Sequence, residues 1–320
     1  MSYTQHPPYA VQIEMVQGCN LGCTFCGINA LGYQKLKRGK DMMTIELAES
    51  IASQMAAAGW CPRVEFAMHG EPTLNPDRAT IVGVFRKHLP KAYLMITSNG
   101  GGLLVGDVTR NVDRLFDAGL NTLALDHYQN VTLVPRIREQ YRGQVPVVDY
   151  PDDTTGNPHQ RHNWKMISII ADISVTAKGT HSHLNNHAGS GMPLNDHGEG
   201  KRCAKPFREM SIRWDGNVAL CCNDWPGVYR CGNVVADGLL KVWQGPAFTA
   251  ARQMLLQGRR EFSPCHGCDA TSYRVGLLPD PRGKEELPEP DANTKRIIRR
   301  AQAQGPYTTP VREPLTEETA

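Results

Sequence analysis

Residues 19–26 read Cys19-Asn20-Leu21-Gly22-Cys23-Thr24-Phe25-Cys26. The spacing C-x-x-x-C-x-x-C offers three thiolates from one short loop, with an aromatic residue just before the last. A cube of four irons and four sulfides takes four ligands, so such a loop leaves one iron open to chemistry. Zinc knuckles favour paired C-x-x-C units with a fourth ligand close by. The bacterial ferredoxin run is C-x-x-C-x-x-C with a further Cys-Pro. Neither matches this loop.

Outward from the loop, strand and helix signals alternate. Val11, Ile13 and Met15 alternate with polar neighbours and lead into Cys19, as a strand does. Thr44 predicts the N-cap of a helix in which Ala48, Ile51, Met55 and Ala58 recur at helical spacing, and Gly59 can end it. A second strand, 64–68, runs into His69-Gly70-Glu71-Pro72, and a third, 93–97, into Ser98-Asn99-Gly100. A helix ending near Gly119 precedes a fourth strand, 122–126, which closes on Asp126. Segments 145–149 and 166–173 read as the fifth and sixth strands. The last is almost wholly apolar, as in a parallel sheet covered by helices. The alternation predicts an α/β fold, a partial parallel (β/α)6 barrel. Such barrels carry their chemistry at the C-terminal ends of the strands, where each of these motifs stands.

With Phe25 in place, the cysteine loop resembles the hallmark of the radical S-adenosylmethionine (radical SAM) superfamily. The resemblance implies a 4Fe–4S cluster on Cys19, Cys23 and Cys26 whose open iron chelates the amino and carboxylate groups of SAM. It further implies that an electron from the cluster breaks the sulfonium C–S bond. The 5′-deoxyadenosyl radical so formed removes a hydrogen atom from an unactivated carbon. Gly70, Glu71 and Pro72 fit the family's Gly-Gly-Glu-Pro motif, while His69 replaces its first glycine. Glu71 would then meet the SAM ammonium, and Gly70 would let the backbone approach. Ser98-Asn99-Gly100 is similar to the family's Thr-Asn-Gly, whose polar side chains approach the cofactor. Asp126 falls where related enzymes place a ribose-contacting Ser or Asp, with capping of the next segment as the alternative. Asn186-His187-Ala188-Gly189 resembles a segment that lies close to SAM, which makes Asn186 a candidate contact.

A second cysteine region begins at Cys203. Asp215-Gly216 between two alternating runs is a hairpin signal. Cys221 follows, then a helical stretch over roughly 239–256, and then Cys265-His266-Gly267-Cys268. The region resembles Twitch, the shortened form of the SPASM domain. That resemblance implies one auxiliary 4Fe–4S cluster on Cys203, Cys221, Cys265 and Cys268, since four thiolates saturate the cube. Cys222 is the alternative to Cys221, which the four-residue spacing after Gly216 favours. A zinc ribbon would use the same four cysteines. The expected organisation is a barrel at 1–200, the auxiliary domain at 201–275 and a Pro- and charge-rich tail at 276–320. The tail is expected to be mobile, with one helix near 293–303.

The 320 residues suffice for one large and one small domain. Ten cysteines without a signal-peptide pattern or a membrane-length apolar run predict metal ligands in a cytoplasmic protein, not disulfides. Cys61 precedes Pro62 and reads as structural. His181, His183, His187 and His197 match no metal motif and read as a polar loop. Net charge is +3, too small to mark a nucleic-acid binder, although 35–40 and 295–300 are basic runs. The family resemblance implies a reductant such as flavodoxin or ferredoxin. The substrate is written in no motif, and three classes compete: a peptide, a small molecule to be dehydrogenated, or modified DNA. In overall layout the chain resembles phage-type enzymes that isomerise amino-acid-bearing thymine. A plain iron–sulfur carrier is the non-enzyme alternative, and Glu71 speaks against it, because a carrier needs no SAM site.

Overall fold

The computed structural model describes residues 6–23, 25–30, 41–128, 131–150, 165–170 and 185–270, with Ala292, Arg296 and Arg299, which are helical. The run 35–40, His181, His183 and the rest of the tail lie outside the described residues. In chain order the elements are β1 (Ala10–Ile13), α1 (Gly27–Ala30), α2 (Ile45–Ala57), β2 (Arg63–Phe66), α3 (Arg78–His88), β3 (Tyr93–Ser98) and α4 (Val108–Asp117). Then come β4 (Thr122–Asp126), α5 (Leu133–Gln140), β5 (Val147–Tyr150), β6 (Met166–Ile170) and α6 (Lys205–Arg208). The C-terminal part adds β7 (Glu209–Ile212), β8 (Asn217–Ala219), β9 (Arg230–Asn233), α7 (Leu239–Trp243) and α8 (Pro246–Leu256).

Helix ends follow their local chemistry. Thr44 caps α2 by accepting from the Leu47 amide at 3.2 Å, and Gly59, at φ +69°, turns the chain out with Trp60 N–H donating to Met55 O at 2.9 Å. Asp107 caps α4 in the same way through the Arg110 amide, at 2.9 Å. The expected single helix over 239–256 is instead two. Gly245 is extended and Pro246 opens α8, because proline disfavours helical backbone in the residue before it and has no N–H to bond backwards.

Among the described residues the nine strands join one sheet in the order β5-β6-β4-β3-β2-β1-β7-β8-β9. Pairings from β5 through β7 are parallel, and β8 and β9 return antiparallel. The partial parallel α/β barrel stands, with two additions to the expectation. First, β6 lies between β4 and β5, so the last two barrel strands exchange places. Met166–Ile169 are buried, whereas β5 is only half-buried and exposes Asp149. The more apolar strand takes the inner position. Second, the C-terminal region shares the barrel's sheet. β7 pairs with β1 from Ala10↔Glu209 to Ile13↔Ile212.

The side chains of each strand divide by parity. Leu94 and Ile96 of β3 pack with Val64, Phe66, Leu123 and the helical Ile51, Met55, Ile81 and Phe85, while Tyr93 and Met95 face the opposite side with Ala124. The main core runs without a break into Met210, Val218, Val242, Trp243 and Phe248. Among the described residues no helix is long and apolar enough to cross a membrane.

Candidate active site

A cavity of about 260 Å³ opens at the C-terminal ends of β1–β4. The loop after β1 lines it with Cys19, Cys23, Phe25 and Cys26. The turn after β2 contributes His69, Gly70 and Glu71, the turn after β3 Ser98 and Asn99, and the segment after β4 Asp126, His127 and Tyr128. Two backbones meet here. Glu71 N–H donates to Gly18 O at 2.8 Å, and a Cβ on Gly70 would fall onto the Val16 carbonyl, so only glycine allows the approach.

Glu71 is 3% exposed. Its Oε1 accepts from Thr73 N at 2.9 Å, Thr73 Oγ1 at 2.5 Å and Ser98 Oγ at 2.5 Å, and its Oε2 from Asn99 N at 2.8 Å. Burial pushes the carboxyl above the ordinary carboxylate range, and these hydrogen bonds oppose the rise. A carboxylate so fixed in place, hydrogen-bonded by neutral donors, suits a ligand ammonium. Beside it the Cys19 thiol is pushed up to about 12 by burial and then by the Glu71 charge. Burial likewise pushes Cys26 to about 11. Cys19 Sγ accepts from Asn99 Nδ2 at 3.3 Å and from Leu21 N at 3.4 Å, so thiolate-directed donors are already in place. Metal binding displaces the protons of such thiols.

The remaining wall comes from the C-terminal half of the chain, through Trp225 and His187. Trp225 packs on His69 with ring centroids 4.5 Å apart. A Cβ on Gly27 would lie 2.7 Å from the indole, so Gly27 is the small residue that admits it. The indole Nε1–H donates to His187 Nδ1 at 3.2 Å. Burial, followed by the neighbouring His69, pushes His187 down to about 4. His187 is therefore neutral at pH 7 with its proton on Nε2. It holds φ +48°, and Ala188 φ +53°, left-handed positions that are uncommon outside glycine. His69 fills its own space: Nε2 donates to Cys222 O at 2.9 Å and Nδ1 lies 3.4 Å from Glu14 Oε1.

A second, smaller cavity is lined by Cys203, Cys221, Cys265 and Cys268 with Lys205, Asn223 and Arg260. Burial raises each thiol, and charges among the four add to this, Cys268 acting on Cys203, Cys221 and Cys265 alike. Cys222 does not line this cavity. Its Sγ accepts from Lys205 Nζ at 3.2 Å while its carbonyl serves His69. Four thiols lining one cavity are a donor set that a 4Fe–4S cube can use in full.

Residues 13–127 match the radical SAM superfamily, and 203–269 match the SPASM iron–sulfur cluster-binding domain. The chain thus carries a radical SAM domain followed by a SPASM domain. It is 22% identical over 271 residues to the S-adenosyl-L-methionine-dependent 2-deoxy-scyllo-inosamine dehydrogenase of Niallia circulans, covering 83% of this chain and 94% of that one. Among solved structures it is similar to BtrN in complex with AdoMet and 2-DOIA, with TM-score 0.63 and 19% identity over 84% of this chain and 96% of that one. An open conformation of BtrN gives TM-score 0.58 at 18% identity, over 83% and 94% of the two chains. The shared fold is the radical SAM partial barrel. The cofactors of this radical SAM chain are SAM, a SAM-binding 4Fe–4S cluster and an auxiliary iron–sulfur cluster, and both donor sets described above fit them.

Of the expected radical SAM contacts, Cys19, Cys23, Phe25, Cys26, Gly70, Glu71, Ser98, Asn99 and Asp126 line the one cavity. Ser98 does so with its hydroxyl given to Glu71. Pro72 stands apart, buried at the start of a 3₁₀ turn, Pro72–Leu74. Asn186 is placed outside that lining and is buried. Its Nδ2 donates to Gly267 O at 2.7 Å and its Oδ1 accepts from Ala188 N at 3.1 Å, so it fastens the loop that presents His187. His187, Trp225 and Tyr128 were not singled out as site residues in the sequence. Their only signals were adjacency to Asn186, to Cys221 and to Asp126.

Proposed function

We propose that this radical SAM enzyme oxidises a carbon of a small polar molecule, as a SAM-dependent dehydrogenase. The observation that carries the reading is the second cysteine site. Its four thiols are enough to saturate a 4Fe–4S cube, which leaves no iron for substrate and makes the site an electron carrier. An oxidation needs such a sink; a redox-neutral isomerisation does not. The dehydrogenase named among the relatives supports the same class.

Cys19, Cys23 and Cys26 would hold the SAM-binding cluster, and Cys203, Cys221, Cys265 and Cys268 the auxiliary one. When bound, these groups supply SAM cleavage, hydrogen-atom abstraction and acceptance of one electron. The chain's own residues do the rest. Glu71 holds the SAM ammonium through a charge-assisted bond, and Gly70 admits the backbone approach. Asp126 offers a carboxylate to ribose hydroxyls, and Tyr128 O–H fixes that carboxylate, donating to Oδ2 at 3.3 Å. Phe25 and Trp225 exclude water. Neutral His187 presents Nε2–H as a donor to a hydroxyl. The thymine-isomerase expectation gains nothing here, since the basic runs lie outside the described residues, Arg296 and Arg299 apart.

The test incubates anaerobically reconstituted protein with SAM and dithionite, or a flavodoxin or ferredoxin system, in three arms: aminocyclitols and sugars, peptides, and DNA carrying amino-acid-modified thymine. The expected result is 5′-deoxyadenosine together with a sugar-like product lacking two hydrogens. An isomer of unchanged mass, or turnover only of peptide or DNA, would overturn the reading.

A further inference from the structure

Lys205 opens α6 and is 9% exposed, an unusual place for an ammonium. Its Nζ donates to Glu209 Oε2 at 2.9 Å and to Cys222 Sγ at 3.2 Å, and the side chain lines the four-cysteine cavity. Arg260, 5% exposed, lines the same cavity, but its guanidinium serves carbonyls: Lys201 and Cys268 at 2.8 Å and Ala270 at 3.0 Å. Two buried cations thus stand over this site; Glu209 pairs with Lys205, while the buried Asp224 acts on Cys265 and the half-buried Asp269 on Cys268. Removing charge from water is costly without compensation, and four thiolates around an iron–sulfur cube are compensation of the right sign. A buried cation has a second consequence. Each electron taken up makes such a site more negative, so a nearby ammonium favours the reduced state over the oxidised one. Net charge and hydrogen bonds to sulfur are the ordinary levers on cluster potential.

We propose that Lys205 and Glu209 form an opposed pair that sets the reduction potential of the auxiliary cluster, Lys205 raising it and Glu209 limiting the rise. Both are positioning residues; neither touches substrate. The inference rests on the assignment of Cys203, Cys221, Cys265 and Cys268 made above. The half-reaction is the uptake of one electron by the cluster, supplied in the test by dithionite.

The experiment is an anaerobic potentiometric titration followed by electron paramagnetic resonance. It uses the full chain with Cys19, Cys23 and Cys26 replaced by Ala, so that one cluster reports. Lys205→Met is expected to lower the reduced-to-oxidised ratio at a fixed potential at least tenfold, which is about 59 mV for one electron. Lys205→Arg should stay near the parent. Glu209→Gln should move the potential the other way, upward. If Lys205→Met does not assemble its cluster, the sign of the Glu209→Gln shift decides. A parent with no cluster at this site removes the cysteine assignment and this proposal with it. A parent with the cluster, and potentials unmoved or shifted in the wrong direction, removes this proposal alone.

Discussion

Glu71 concentrates the residue-scale argument. Four neutral donors hold its carboxylate, and burial keeps its pKa above the ordinary range. Glu71→Gln should keep both clusters yet weaken SAM binding by roughly tenfold to a hundredfold, the cost of about 1.5–3 kcal/mol for one charge-assisted bond. Equilibrium SAM binding checks this, and unchanged affinity would contradict it. The raised pKa also fixes a sign. A protonated Glu71 cannot attract an ammonium, so SAM affinity should fall as pH drops through that raised value, and the Gln variant should lose this dependence. At the second site, Cys221→Ala should remove one cluster by iron and sulfide counting, whereas Cys222→Ala should retain two. The reason is direction: Cys221 lines the cavity while Cys222 turns to Lys205. That Cys19, Cys23, Cys26 and Glu71 meet at one cavity was legible because each stands in a short motif at a strand end. His187 and Trp225 were not, because they reach the cavity only through tertiary contact, 38 positions apart in sequence.

At the scale of elements, patterning named the strands well and their neighbours less well. Periodicity located β3 and β4 nearly to the residue, since alternation and turn residues are local. It could not show that β6 inserts beside β4, which depends on which strand buries more apolar surface. Nor did the apolar spacing over 239–256 reveal the break at Gly245-Pro246, although the proline was there to be read. The short helix α1 illustrates an element held by its contact. Its first residue, Gly27, lies against the Trp225 ring, and an added methyl would sit 2.7 Å from the indole carbon Cδ2. Gly27→Ala should therefore cost about 1–3 kcal/mol, the usual penalty of overpacking. It should also loosen the Trp225–His187 hydrogen bond. A lower thermal midpoint with a red-shifted tryptophan emission is expected. A protein with the parental midpoint and emission would show that the indole moves aside freely.

At the scale of the molecule, the described residues form one sheet carrying two cysteine sites, and this unity was the least legible feature. Motifs suggested a barrel followed by a separate small domain, because spacing cannot report that β7 completes the edge of β1. The structure pairs them along Ala10–Ile13, and Glu14 N–H continues the ladder to Ile212 O at 2.9 Å. Side chains repeat the message. Glu14 is fully buried between His69 and Arg213, and Trp214 Nε1 donates to Gln17 Oε1 at 3.1 Å. Cutting the chain before Cys203 would open the edge of β1, take Arg213 from Glu14 and uncover one side of a continuous core. Unpaired strand edges template aggregation, and an uncovered apolar core loses the burial that stabilises it. Residues 1–202 alone should therefore be insoluble or lack a cooperative thermal transition, even when reconstituted with iron and sulfide. The same length of chain should fold in the intact protein when the four auxiliary cysteines are replaced by Ser, since those changes leave β7 in place. Expression of the two forms side by side, followed by thermal melts and iron counting, separates them. A soluble 1–202 fragment that melts cooperatively and holds one cluster would mean that the shared sheet is a docking of two independent folds.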